Sequence, residues 1–512
     1  MERPENRWSR NPYVIGACVL IAGVIGYSFV RQLGGPDQNN TGSTVEPTDD
    51  NVATALFADP DVVNLVEIDS AAIDQAVMVT DSNGSDDFSL ILSTGEAELD
   101  PEAQPADERG GAYDVTTIAA TVEVPAETTC MVVRDLKFGG DEQGGTADGF
   151  VVEVGESAWN LEAVDGSSTG VHLDASGGLL EEEVTMGAET VARSTPELEA
   201  TIPIEPGENT VFFSIYDADN ALGTSIVQVG NIDFTDEANC LDDVTLSDRS
   251  NLVALGDSFT SGFGLPPFEP GSEPGDGSNC QRSTTAYPVL LAEKGSFELD
   301  SRACQGALTG HLYEEFSDRG EDPQLDGLRT DTGVVVLTIG GNDTGWAQVL
   351  SECVVESFLG PACNENEVAN TEFDESFSRL GGETGEPSFT RPYKEILAEI
   401  SRQAPYAQVV IVNYPPLFAD GGAGASEGAR CAGILKADQA WMNVQLQEAN
   451  KLMVEAAKDA GAFVVDLTQK FEGHALCESE PWFMDLTGEG PLHPTSAGHE
   501  AIAEEILKTL NG

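Results

Sequence analysis

The sequence predicts an α/β protein: a three-layer α/β/α domain on a parallel sheet in the C-terminal half, preceded by an all-β sandwich domain and an N-terminal transmembrane helix. Three observations carry this. From Asn251 onward, short apolar strands alternate with longer segments of helical spacing, the pattern of strands joined by crossover helices. From residue 51 to 245 the apolar runs are short, rich in Val, Ile and Thr, and bounded by Gly, Asp or Pro, which suits a sandwich. Pro12 to Val30 is a run of 19 residues without a charge, enough to span a hydrocarbon core of about 30 Å.

Arg3, Arg7 and Arg10 precede that run and only Arg31 follows closely, so residues 1–11 are expected to be a cytoplasmic tail and everything after the run to lie outside. The competing reading is a cleaved signal sequence. The run is long for a signal core and no clear small-x-small site follows it, so an uncleaved anchor over 12–30 is preferred. The protein is then expected at the extracellular face of the membrane, or secreted if cleaved. Cys18 lies within the run and reads as a buried apolar residue. Residues 31–50, rich in Gly, Asn, Thr and Asp, read as a flexible linker.

In the region 51–245 the expected strands include Phe88–Ser93, Thr116–Val124, Cys130–Val133, Gly149–Val154, Thr210–Tyr216 and Thr224–Val229. Ile91-Leu92-Ser93-Thr94-Gly95, Asp148-Gly149-Phe150, Ile204 to Thr210 (IEPGENT), Asp217-Ala218-Asp219 and Gly230-Asn231-Ile232-Asp233 resemble surface domains of the choice-of-anchor L type. That resemblance implies attachment to a surface protein and no activity. Asp217, Asp219 and Asn220 have oxygen ligands suited to Ca²⁺, but a polar turn between strands is the preferred reading. His172 reads as an ordinary surface or turn histidine. Cys130 and Cys240 are the only cysteines here and are expected to pair.

Apart from Cys18 there are eight cysteines: Cys130, Cys240, Cys280, Cys304, Cys353, Cys363, Cys431 and Cys477. An even number outside the membrane fits an oxidising compartment, although eight cysteines allow 105 pairings. No C-x-x-C spacing occurs and the five histidines are scattered, which argues against a structural metal site. Asp+Glu number 89 against Lys+Arg 24, a net charge of −65. Such a surface repels nucleic acid, whose binding depends on neutralising phosphates. It fits either a high-salt medium that screens self-repulsion or a simply acidic secreted protein.

From residue 248 to 512 the expected elements are strands at Asn251–Gly256, Gly333–Gly340, Gln408–Asn413 and Ala462–Asp466, and helices at Pro392–Gln403, Lys436–Ala460 and Ser496–Leu510. Ligands on parallel sheets sit beyond the carboxyl ends of the strands. Four blocks fall there in one order: Gly256-Asp257-Ser258 at a strand end, Gly306 after Cys304-Gln305, Gly340-Gly341-Asn342-Asp343 at a second strand end, and His493-Pro494 before the last helix. G-D-S or H-P alone is weak; all four in order, each at a fitting place, is specific.

In these blocks the C-terminal half resembles the SGNH (GDSL) hydrolase family, named for Ser, Gly, Asn and His, over about Asn251 to Asn511. The resemblance implies a flavodoxin-like fold and a serine carboxylic ester hydrolase with an ester substrate and no metal or organic cofactor. Ser258 would be the nucleophile, inert until a base takes its proton. His493 would be that base. Ser258 and Gly306 N–H groups and the Asn342 amide would form the oxyanion hole, Gly306 letting the backbone approach closely. Water would release the acyl group from Ser258. His311, His474 and His499 are expected to be structural, with His499 on the outer turn of the last helix. The family usually has an Asp three residues before the His; here that position is Gly490. A secreted bacterial subgroup uses a main-chain carbonyl there, so the Gly490 carbonyl is the preferred partner, with Asp485 and Glu489 as side-chain alternatives. The same subgroup implies disulfides Cys280–Cys304, Cys353–Cys363 and Cys431–Cys477, the first pinning the loop of Gly306. Loops Leu265–Ser278 and Glu352–Glu386 are expected to shape the pocket. Two other functions remain open: a glycan O-deacetylase with the β domain as binding module, and an adhesion protein whose hydrolase half is vestigial.

Overall fold

A computed structural model of the protein describes residues 44–511 apart from 46–47, 71–76, 82–87, 94–112, 141–148, 156–168, 175–183, 187–188, 218–224, 237–239, 241–242, 276–277, 346–348, 350–366, 383–388, 420–428 and 487. The expected anchor over 12–30, the expected Cys353–Cys363 pair, and Asp219 and Asn220 lie outside the described residues. Among the described residues no helix is long and apolar enough to cross a membrane. The chain divides between Asp248 and Arg249 into two compact units.

The N-terminal unit is β-rich and antiparallel. A five-stranded sheet runs in the order Val63–Ser70, Tyr113–Val124, Gly207–Asp217, Gly149–Val154, Thr169–Asp174. Its alternate residues Ile118, Ala120 and Val122, and Val211, Phe213 and Ile215, are fully buried, as the period of two in a half-buried strand demands. A nine-stranded sheet centres on Cys130–Gly140, which pairs with Leu198–Pro203, Ser225–Val229 and Ile232–Thr235. Cys130 is bonded to Cys240. The expected linker is structured at its end. Thr44–Val45 pairs with Val79 and Thr80, and a helix spans Asp49–Leu56. The cause is a capping box: Asn51 N–H donates to Thr48 Oγ1, and the Asn51 side chain takes the Thr48 N–H.

In the C-terminal unit β1 (Asn251–Gly256), β2 (Glu298–Ser301), β3 (Val334–Thr338), β4 (Gln408–Val412) and β5 (Phe463–Val465) form one parallel sheet in the order β2-β1-β3-β4-β5. In that doubly wound order the topological switch point lies between β1 and β3. All five residues of β3 are buried, which is why it reads as a continuous Val/Leu run rather than an alternating one. One face of the sheet (Leu252, Ala254, Val334, Val336) packs with Leu291 and Ile502. These come from α1 (Tyr287–Gly295) and α4 (Ser496–Leu510). The other face (Val253, Leu255, Val335, Leu337) packs with Ile396, Ile400 and Met453, from α2 (Tyr393–Gln403) and α3 (Lys436–Asp459). Three layers result, and each fully buried Val or Leu contributes about 1.5–3 kcal/mol relative to exposure.

His499 departs from its expected place. It is fully buried, because positions 499, 502 and 506 share one face of a helix and that face is the inner one. Its Nδ1 accepts the Tyr287 N–H at 3.1 Å. Buried amides fix the loops above the sheet. Gln324 takes the Gly256 N–H at 2.7 Å and returns a bond to its carbonyl at 3.0 Å. Asn450 does the same for Tyr414, at 3.0 and 2.8 Å. Each pair satisfies backbone groups that the sheet leaves unpaired.

Candidate active site

Gly256 ends β1 with φ +139°, and a side-chain carbon there would strike the Thr338 carbonyl. The sharp exit is therefore open only to glycine. Asp257 follows, 1% exposed, and its Oδ1 accepts the Phe259 N–H at 2.9 Å, capping the short helix Ser258–Ser261. Ser258 is thus presented at the first position of that helix, where a backbone N–H has no helical partner.

His493 reaches this turn from the other end of the chain. Its Nε2 lies 2.7 Å from Ser258 Oγ, and its Nδ1 lies 2.9 Å from the Pro491 carbonyl. A carbonyl can only accept, so Nδ1 carries the proton and Nε2 offers its lone pair to the serine. The ring packs between Phe259 and Phe263, at centroid distances of 5.0 and 4.9 Å. Loss of water around it lowers its pKa from 6.5 to about 4, against the opposing effect of the Pro491 bond.

The third partner is a main-chain carbonyl, but of Pro491 and not of Gly490. Gly490 to His493 form a tight turn in which the Gly490 carbonyl accepts the His493 N–H at 3.2 Å. Leu492 has φ +65°; Pro at the second position and a positive φ at the third are the marks of a type II turn. The Gly490 carbonyl is spent on closing the turn, which leaves the next one to the imidazole. Asp485 is exposed, and the Nδ1 that it was to orient is already bonded to Pro491. Gly490 has a different task. A side-chain carbon there would strike the Phe263 carbonyl and lie 2.9 Å from Gly264 Cα, and one on Gly264 would strike Gly490 in turn. The serine loop and the histidine loop touch backbone to backbone at these two glycines.

Gly306 has φ +80°, and a side-chain carbon there would meet nothing within 4 Å. Backbone conformation, rather than crowding, calls for glycine. The ties that hold its loop include the Cys280–Cys304 disulfide, a 2.9 Å bond from Asn342 Nδ2 to the Ala307 carbonyl, and bonds from Thr309 N–H and Oγ1 to Asp343 at 2.9 and 2.7 Å. Cys431 and Cys477 are also bonded to each other. The structure therefore brings Ser258, His493 and the loops of Gly306 and Asn342 together above the switch point of β1 and β3.

Sequence reasoning named Asp257 and Asp343 within their blocks without giving either a role, and passed over Tyr414. Tyr414 directly follows the strand run Gln408–Asn413, at a carboxyl end of the sheet like the other site residues, and that position was the available signal. The Tyr414 hydroxyl donates to Asp257 Oδ2 and accepts the Gly341 N–H at 2.9 Å. Burial raises the Asp257 pKa from 3.8 to about 7, opposed by its bonds from Tyr414 and Phe259.

The model of the GDSL-like lipase/acylhydrolase family matches residues 254–501. Lipase 1 of Streptomyces coelicolor is 32% identical over 267 residues, which cover 51% of this chain and 85% of the relative. The lipase of Streptomyces rimosus is 30% identical over 268 residues, 51% of this chain and 86% of the relative. The solved structure of the extracellular lipase from Streptomyces rimosus is 28% identical and covers 51% of this chain and 99% of that one, with a TM-score of 0.41. Through its C-terminal half, the chain belongs to the GDSL-like lipase/acylhydrolase family.

Proposed function

We propose that the C-terminal unit hydrolyses carboxylic esters through a Ser258–His493 dyad. The observation that carries this reading is the continuous line from Ser258 Oγ through the imidazole to the Pro491 carbonyl. His493 takes the Ser258 proton as Oγ attacks the acyl carbonyl, and gives it to the leaving alcohol. The Ser258 and Gly306 N–H groups and the free N–H of the Asn342 amide hold the oxyanion. Water, activated by the same imidazole, releases the acid. The protein works outside the cell, held to the membrane by residues 12–30; the disulfides formed in both units and the arginines ahead of the run support this. The full chain, assayed on nitrophenyl esters from acetyl to palmitoyl and on acetylated oligosaccharides at low and molar salt, tests the reading. Cleavage of the nitrophenyl series supports it and defines the acyl length. Turnover of acetylated sugars alone would replace it with glycan deacetylation.

Two expected results follow from the geometry. The base must be neutral, and His493 is neutral above about pH 4. The acid limb of kcat/KM, which reports the free enzyme, is expected near pH 4 and not near 6.5, with activity lost as pH falls through it. Asp257→Asn leaves the limb in place, and a limb that moves with that variant would assign it to Asp257. Gly490→Ala forces apart the loops that meet at Gly264, and a displacement of about 1 Å is expected to lower kcat about 10²-fold. Steady-state kinetics at unchanged fold, checked by circular dichroism, decide it.

A further inference from the structure

We infer that Tyr414 is a positioning residue whose hydroxyl locks the nucleophile turn to the oxyanion loop. The inference rests on the Ser258–His493 reading above. The hydroxyl joins two backbone segments that are far apart in sequence. On one side it donates to Asp257, whose other oxygen holds the Phe259 N–H; these two residues flank Ser258. On the other side it accepts the N–H of Gly341 at 2.9 Å, the residue before Asn342. The ring of Tyr414 meets Phe259 edge-on at 5.0 Å, and Phe259 packs in turn on His493. One side chain therefore touches the supports of nucleophile, base and oxyanion donor.

The residue is built to be rigid. Tyr414 is buried at 4% exposure, and Asn450 brackets its backbone from α3. The glycine it holds is confined: a side-chain carbon at Gly341 would come within 3.1 Å of the Tyr414 hydroxyl. Gly340, just before, has φ +108° and lies against the Tyr393 hydroxyl, which donates to the Ile339 carbonyl at 3.0 Å. Without the Tyr414 hydroxyl, a buried carboxylate loses a donor and the part-buried Gly341 N–H loses its acceptor, so both segments shift to find substitutes. No bond is made to the substrate, so the effect falls on the alignment of Ser258 against Asn342 and not on ground-state binding.

Parent, Tyr414→Phe, Asp257→Asn and the double variant, each as the full chain, are compared on nitrophenyl butyrate, with active sites counted by fluorophosphonate titration. Tyr414→Phe is expected to lower kcat per titrated site about 10²-fold with KM within about twofold. The double variant is expected within about threefold of the weaker single, because the two groups act through one bond. Tyr287→Phe removes an equally buried hydroxyl, bonded to Thr260 and Thr338, and is expected to stay within about threefold of the parent. A merely structural role would lower the titrated fraction or the unfolding temperature and leave kcat per site unchanged, and that result overturns the inference. So does a double variant whose loss is the product of the two singles. Should Tyr414→Phe not fold, Asp257→Asn carries the test by the same split between kcat and KM. A parent that cleaves no ester removes the dyad reading and the inference with it, whereas an active parent beside an unimpaired Tyr414→Phe removes the inference alone.

Discussion

Replacing Ser258 by Ala is expected to lower kcat for ester hydrolysis by about 10⁴–10⁶-fold, and replacing His493 by Ala to do nearly the same. The two side chains form one device. Without the imidazole the hydroxyl keeps its proton; without the hydroxyl the imidazole has nothing to activate. The double variant is therefore expected to be no worse than the weaker single, a non-additivity that independent residues would not show. Stability should hardly change. Ser258 is only partly buried at the start of a four-residue helix, and its Oγ is bonded to His493, so its loss deletes one bond that water can replace. The measurement is the burst and steady-state release of nitrophenol from folded variants. Retention of more than about 1% of the parental rate by Ser258→Ala would remove the serine from the chemistry, since the residual rate without a nucleophile is set by the oxyanion hole and binding alone.

What was legible in the sequence divides along physical lines. β1 and α4 were expected over the residues they occupy, Asn251–Gly256 and Ser496–Leu510. In both the apolar pattern is strong, and Thr495 supplies an N-cap by accepting the Gly498 N–H. The edge strand β2 was not expected. It pairs on one side only, and none of Glu298, Leu299, Asp300 and Ser301 is fully buried, so no apolar run announces it. The helix Asp49–Leu56 was hidden because its signal is a capping box in a polar stretch that reads as linker. In the candidate site, Ser258, Gly306, Asn342 and His493 were legible from their order along the chain. The partner of His493 was not, because a one-residue choice between the Gly490 and Pro491 carbonyls depends on which of them the turn consumes. The inward face of His499 and the reach of Tyr414 to Asp257 depend on packing between segments 157 or more residues apart, which no local pattern encodes.

Asn342→Ala is expected to lower kcat by about 10²–10³-fold, the usual loss of one oxyanion donor. The amide has two N–H bonds to give, and one goes to the Ala307 carbonyl at 2.9 Å. That bond ties Asn342 to the loop that carries Gly306 and leaves the second N–H to give. The variant therefore removes a donor and one tie on that loop, while the Cys280–Cys304 disulfide and the Thr309–Asp343 bonds remain. Because the loop stays anchored at both ends of the stretch from Cys304 to Thr309, KM is expected to change little. An interaction made only as charge develops on the carbonyl oxygen acts on kcat and not on ground-state binding. A trifluoromethyl ketone, which adds Ser258 Oγ and carries the oxyanion, separates the alternatives. If Asn342 stabilises that charge, its affinity falls in step with kcat across Asn342→Ala and Asn342→Asp, with the carboxylate worse because its charge repels the oxyanion. If Asn342 only ties the loop, Asn342→Asp and Asn342→Ala are equally impaired, KM rises, and the affinity for the ketone falls no more than that for the ester.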